Sequence, residues 1–200
     1  MLQPVVSDFI DANPHITVSL LLFDRVVDLI DEGFDLAVRI ANLPDSSLVS
    51  KHVGDVRRML VASPAYLSKH GTPKTPEDLK SHTVIGQTAL MPNRELRYFK
   101  AGKPARITLP IRFEINDAHA CISAAEQGKG ITIALSYMVA DALRKGRLVP
   151  VLNKFRPPPV PVNLIYAQRR IVAPKIRAFI DFAAPRLSAA LSEGRPFLKD

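Results

Sequence analysis

Polar residues that could do chemistry recur where apolar runs of this 200-residue chain end: Phe23-Asp24, Arg39 to Asn42, Ser63, Gly86-Gln87, Asn116-Asp117 and Ser136. Helix starts expected after Asp24, Ser63, Asn116 and Ser136 would leave free backbone N–H groups, which suit a carboxylate or similar small anion. Arg39 would pair such a carboxylate bidentately, or form an ion pair with Asp24 or Asp117. Each candidate has a plainer role. Asn116, Ser63 and Ser136 would serve as helix caps, Gln87 as a solvated loop residue, and Asp24 chiefly as a cap whose charge repels an acidic ligand. This is binding chemistry rather than catalysis. The sequence offers no paired carboxylates, no recognisable Ser/His or Cys/His pairing, and no zinc or P-loop spacing. Cys121 falls on the apolar side of a helix without a second cysteine to resolve it, which favours a buried structural thiol over a redox sensor. His52, His70, His82 and His119 lack ligand spacing and read as surface or turn residues.

The elements that must hold these residues are clearest between Ile107 and Ser136. Ile107, Leu109, Ile111, Phe113 and Ile115 alternate as in a strand; Ala118, Cys121, Ile122 and Ala125 then follow at helical spacing. Asn116 is the expected cap. Gly128 ends the helix, and Gly130 turns the chain into the buried strand Ile131–Leu135. Strand, helix, strand is a parallel crossover, and open α/β sheets bind ligands at the carboxyl ends of their strands.

Nearer the amino terminus, a helix over Pro4–Ala12 stops at Asn13-Pro14. A strand over Ile16–Phe23, a helix over Asp24–Gly33 and a strand over Phe34–Ile40 predict a second parallel unit. Asn42–Ser50 reads as a loop. Strands follow at Val56–Ala62 and Val84–Gly86. Ser63-Pro64 and Thr75-Pro76-Glu77-Asp78 are helix-start signatures. Leu96–Lys100 and Ala105–Leu109 flank a hairpin turn. Further on come a helix over Tyr137–Leu143, strands at Leu148–Leu152 and Val162–Ala167, a stiff Pro157-Pro158-Pro159 linker, and a helix from Pro174 that Pro185 kinks or restarts.

Composition narrows the class. At 47% hydrophobic residues, 200 residues suffice for one large domain or two small lobes with proper cores. No apolar run reaches membrane-spanning length, and the amino terminus lacks the basic segment of a secretory signal. A single cysteine fits a reducing compartment, with cytoplasm the default. The net charge of +8 is spread through turns and helix ends, so it is weak support for direct nucleic-acid contact.

Four segments together resemble the effector-binding (substrate-binding) domain of the LysR-type transcriptional regulators: DRVVDLIDEGFDLAVRI (24–40), DSSLVSKHVGDVRRMLVASPAYLSKHGTPKTPEDLKSH (45–82), INDAHACISAAEQGKGITIALSYMVADALRKGRLVPVL (115–152) and IRAFIDFAAPRL (176–187). The resemblance implies an α/β fold of two Rossmann-like lobes, similar to type 2 periplasmic binding proteins, with a double chain crossover. Lobe I would comprise 1–60 plus 162–200 and lobe II 61–161, with hinge residues Val61, Ala62, Val160 and Val162. A small, anionic effector would lie between the lobes on Arg39, Asn42, Ser63, Gln87, Asn116, Asp117 and Ser136. The implied assembly is a homodimer or tetramer whose interface uses Val6, Ile10, Ala118 and Ile122; for Val6 and Ile10 the plainer role is lobe I core. The chain shows neither the family's winged helix-turn-helix nor the first strand of its effector domain. DNA would therefore be reached only through the missing N-terminal domain. No cofactor, metal, catalytic residue or membrane partner is implied. A solute-binding protein of the same fold, delivering a small molecule to a transporter, is the alternative.

Overall fold

The computed structural model describes residues 1–23, 27–43, 48–167, 173–192, 194 and 196. They fall into two compact units: Met1–Val56 with Val160–Glu193, and Arg57–Pro159 with Gly194–Asp200.

In the first unit, helix α1 (Leu2–Ala12) buries Val5, Val6 and Phe9. Phe9 meets Phe179 and Phe182 edge-on, at ring separations of 5.0 and 5.4 Å, on helix α5 (Pro174–Ser192). Strands β1 (Ala37–Ile40), β2 (Leu48–Val56) and β10 (Val160–Ala167) form a sheet of order β1-β10-β2. Both neighbours run antiparallel to β10, whose consecutive residues Leu164 and Ile165 are fully buried, so both faces of this strand are covered. Gly54 lets β2 approach α5; a Cβ there would lie 2.9 Å from Leu191 Cδ1.

Several expectations fail in this unit. Ile16–Phe23 is not a strand: exposure alternates from Ile16 to Leu20, but no ladder partner pairs with the segment among the described residues. The expected helix over Asp24–Gly33 is replaced, in its described part, by turns. There the Asp28 carboxylate accepts the Ile30 and Asp31 N–H groups at 2.9 and 3.0 Å, a local capping arrangement that competes with continued helix. Leu29 is the buried residue and Ile30 is 62% exposed, whereas a helix here would turn Ile30, with Val26 and Val27, to its apolar face. The capping role expected of Asp24 lies outside the described residues. In place of a parallel crossover at this end, the described strands form an antiparallel sheet, and β2 occupies the later part of the expected loop. Pro185 neither breaks nor restarts α5, which is assigned continuously; beside it the Arg186 guanidinium donates to the Phe182 carbonyl at 3.0 Å.

In the second unit, β3 (Arg58–Ala62), β4 (Val84–Gln87), β7 (Phe113–Ile115), β8 (Ile131–Leu135) and β9 (Val149–Val151) form a sheet of order β7-β4-β8-β3-β9. The strands β7, β4 and β8 are parallel, and α3 (Ala118–Glu126) connects β7 to β8, so the crossover expected between Ile107 and Ser136 is present. Gly130 permits the closest approach in it: a Cβ there would stand 2.5 Å from the Thr83 carbonyl oxygen. One face of the sheet packs on α3 and on α4 (Ser136–Arg144) through Met59, Val61, Cys121, Ala125, Ala134 and Val139. The other face packs Leu60, Ile131 and Ile133 against Leu79, Met91, Leu96 and Leu109.

The alternating run from Ile107 to Ile115 is divided between sheets. Its first part belongs to β6 (Lys103–Thr108), which pairs with β5 (Glu95–Lys100) in a hairpin; its last part is β7. Pro110, lacking an N–H, sits at the break, and the Leu109 N–H turns to the Arg94 carbonyl at 3.0 Å. Helix α2 (Pro64–His70) begins as expected, with Ser63 Oγ accepting the Tyr66 N–H at 3.3 Å.

Candidate functional site

Because β7, β4 and β8 are parallel, their carboxyl ends share one edge of the second unit's sheet. That edge gathers Gln87, Asn116, Asp117 and Ser136, together with the first turns of α3 and α4. Ser63 is elsewhere. Strand β3 runs antiparallel to β8, pairing Arg58 with Leu135, so the amino end of β3 reaches this edge and Ser63 stands at the opposite one, roughly 16 Å away along the strand.

The four gathered residues divide by what their side chains already do. Ser136 is 1% exposed; its Oγ accepts the Arg57 N–H at 3.1 Å while its own N–H donates to the Arg57 carbonyl at 2.8 Å. Gln87 is 2% exposed, not a solvated loop residue. Its Nε2 donates to the Asn116 carbonyl at 3.2 Å and its Oε1 accepts the Leu90 N–H at 2.6 Å. Both side chains position the edge. Asn116 and Asp117 are exposed. The cap of α3 is Asp117, one residue later than expected, and its Oδ1 accepts the Ala120 N–H at 2.6 Å. Asn116 is thereby released from capping, with its backbone held by Gln87. A residue the sequence reading passed over, Arg57, supplies the backbone partner of Ser136; the Arg57-Arg58 pair preceding a buried apolar strand is the signal that marks it.

In the first unit, Arg39 lies in β1 and its guanidinium donates to the Val27 carbonyl at 2.8 Å. Asn42 follows β1 and is exposed. The hinge candidates Val61 and Ala62 are buried inside β3, several residues past the boundary between units at Val56/Arg57; Val160 and Val162 lie in β10, at and just beyond the second boundary. Of the interface candidates, Val6 is buried in its own unit at 6% exposure, whereas Ile10 is 36% exposed. Ala118 is half-buried and Ile122 buried.

Cys121 is fully buried, its thiol pushed up first by desolvation. His82 is more enclosed than a surface histidine. Tyr66 Oη accepts the Thr83 N–H at 2.9 Å and contacts His82 Nδ1 at 3.2 Å, while His70 stacks on the Tyr66 ring. Burial, then the charge of His70, holds the His82 imidazole below its usual range, against an opposing pull from Asp78. Among the described residues no cluster of His, Cys, Asp or Glu has metal-binding geometry, and no helix is long and apolar enough to cross a membrane.

The profile of the LysR substrate binding domain matches residues 1–188. The chain belongs to that family. Its fold is the two-lobed α/β architecture of LysR-type regulatory domains, similar to the periplasmic binding proteins. The chain is 30% identical to an HTH-type transcriptional regulator, YhjC, of Escherichia coli (strain K12), over 92% of this chain and 62% of that protein. It is 31% identical to the HTH-type transcriptional regulator CrgA of Neisseria meningitidis serogroup B, over 94% of this chain and 62% of the relative. Among solved structures, the full-length Vibrio cholerae virulence activator AphB matches with a TM-score of 0.80 at 29% identity, covering 93% of this chain and 63% of that one. The CrgA regulatory domain matches with a TM-score of 0.78 at 30% identity, covering 94% and 92%. The chain thus spans about three fifths of the length of the full-length regulators it resembles. The LysR substrate-binding domain belongs to transcriptional regulators rather than to an enzyme family.

Proposed function

We propose that this LysR substrate-binding domain senses a small, anionic effector in a cleft between its lobes and couples binding to DNA contacts made by a separate domain. Lobe I is taken as the first unit, 1–56 with 160–193, rather than 1–60 plus 162–200, and lobe II as the second, 57–159 with 194–200, rather than 61–161. The hinge lies where the chain passes between them, at Val56-Arg57 and near Val160-Val162, with Val61 and Ala62 inside β3 outside it. The observation that carries this reading is the carboxyl edge of β4, β7 and β8, where Asn116 and Asp117 stay exposed at the start of α3 above a Gln87 fixed behind them. Arg39 and Asn42 are the lobe I contributions, Arg39 supplying a guanidinium fork for a carboxylate. Effector binding shifts the population of two conformations in proportion to its differential affinity for them. The domain acts in the cytoplasm as a homodimer or tetramer, with Ile10 and Ala118 on the contacting helices, and performs no catalysis.

A thermal-shift panel of small carboxylic acids, aromatics and sugars tests the proposal. A ligand at about a hundred times its Kd adds roughly 2.7 kcal/mol, which a melt resolves. An acid that raises the midpoint, with the shift lost in Arg39→Ala and reduced in Asn116→Ala, is the expected result. A stabilising ligand whose effect survives both substitutions contradicts it.

A further inference from the structure

Positive charges that are spread along the sequence come together on the β5–β6 hairpin of the second unit. Its register sets Arg97 directly opposite Arg106 and Lys100 directly opposite Lys103, and no pair in that register joins opposite charges. Residues facing each other across an antiparallel ladder stand about 5 Å apart at Cα, and like charges so placed destabilise the ribbon. Leu96 and Tyr98 turn inward and are buried. Alternation therefore sends Arg97 and Arg106 to the outer face, where their side chains are 65% and 77% exposed. The lysine pair flanks the turn, roughly 10 Å along the ribbon from the arginine pair. Arg58, half-buried at the start of β3, adds to the positive charge here: burial first, and the charge of Arg97 second, lower its pKa from the usual arginine value.

Two acids are near. Glu95 stands 3.6 Å from both Arg97 and Arg106, and Glu77 accepts the Tyr98 hydroxyl at 3.4 Å on the inner face. One carboxylate shared between two guanidinium groups leaves the outer face with an excess of positive charge, which the lysines at the turn increase. The same face is poor in apolar anchors. Among the described residues the large exposed hydrophobic side chains are Ile10, Leu21, Leu22, Phe23, Ile30 and Phe113, none of them in the hairpin. A protein interface normally centres on aromatic or apolar anchors, whereas Lys and Arg suffice to hold a phosphate backbone. A two-stranded ribbon also has a shape that a nucleic-acid groove admits.

We propose that the outer face and turn of the β5–β6 hairpin contact the phosphate backbone of duplex DNA, through Arg97, Arg106, Lys100 and Lys103, in addition to the contacts made by a separate domain. Only the choice of DNA among polyanions rests on the proposed coupling to that domain. Contact of this kind adds affinity and orientation without base discrimination.

Fluorescence anisotropy of this chain with a labelled duplex of about 20 base pairs and arbitrary sequence, over roughly 20 to 200 mM salt, tests it. No effector is present, so the outcome is independent of the interlobe cleft. About four phosphate contacts predict a slope of roughly −3.5 for log affinity against log salt. Arg97→Gln with Arg106→Gln should flatten that slope by about 2 and weaken binding about tenfold or more at the lowest salt; Lys100→Gln with Lys103→Gln should act likewise. All four side chains are exposed, so neither double variant should melt earlier than the parent. Lys51→Gln with Lys175→Gln removes the same charge from exposed positions of the first unit and should leave the slope unchanged. Amide NMR shifts in the parent are expected within Arg97–Arg106, and they decide the matter if a hairpin variant melts early. The proposal is overturned by no binding at the lowest salt, by amide shifts confined to other segments, or by tighter binding of a polyglutamate of matched charge. Equal flattening in the Lys51 and Lys175 variant, the mark of a response to net charge alone, overturns it too.

Discussion

Ser136 exchanges two hydrogen bonds with the Arg57 backbone, so its hydroxyl serves the fold rather than a ligand. Ser136→Ala removes the buried hydrogen bond that its Oγ accepts from the Arg57 N–H and should cost about 1–3 kcal/mol in urea unfolding. Asn116→Ala, at an exposed side chain, should stay within about 0.5 kcal/mol. Equal losses at the two positions would refute this division. His82 gives a pH dependence whose sign follows from geometry. Tyr66 accepts from Thr83, so its own proton is available to His82 Nδ1, which suits a neutral imidazole. Since the folded imidazole binds its proton less readily than the unfolded one, stability rises with pH through that interval and falls as pH drops below about 6.5. Urea midpoints at pH 7.5 and 5.5 should show that fall in the parent and a shallower one in His82→Asn; parallel slopes would contradict it. At this scale the sequence reading was uneven. The Ser63 cap and the structural Cys121 were readable because local spacing decides them. Gln87, taken for loop, and Asn116, taken for the cap, were not. Their roles depend on each other through a contact between residues 29 positions apart.

Helix α3, the strand β8 that follows it and the β5–β6 hairpin were legible because each is decided by its own periodicity and turn residues. The hairpin turns through Ala101 and Gly102, both at positive φ of 49° and 74°. Alanine pays for that left-handed backbone, so Ala101→Gly should leave the fold intact and raise stability by up to about 1 kcal/mol, read as a higher urea midpoint. Gly130→Ala is the opposite case. Its Cβ would collide with a backbone oxygen of Thr83 that cannot rotate away, and a loss of about 2 kcal/mol or more is expected, with weakened amide protection in β4 and β8. Wild-type stability in Gly130→Ala would mean the approach is looser than described. Strand direction was the illegible quantity. Nothing local distinguishes β3, antiparallel to β8, from a parallel neighbour, and that direction sends Ser63 to the far edge. The run from Ile107 to Ile115 alternates without interruption, yet Pro110 removes one ladder donor and its halves join different sheets.

Across the whole chain, the family could be read because four ordered segments span most of its length, and the matching profile covers residues 1–188. The first unit was read least well. The parallel crossover expected between Ile16 and Ile40 required a ladder for the Ile16–Phe23 strand, and the described strands instead pair around β10. Leu21, Leu22 and Phe23 are 54%, 75% and 46% exposed. Alternation from Ile16 to Leu20 records a half-buried face that joins no sheet ladder among the described residues. In the proposed function, one small anion contacts residues of both lobes. Hydrogen exchange measured with and without a stabilising acid from the thermal panel tests it most directly. Increased protection is expected in the same titration at Arg39–Asn42 and at Gln87 with Asn116–Ala120, both lost in Arg39→Ala. Protection confined to one unit, or unchanged by that substitution, would contradict it.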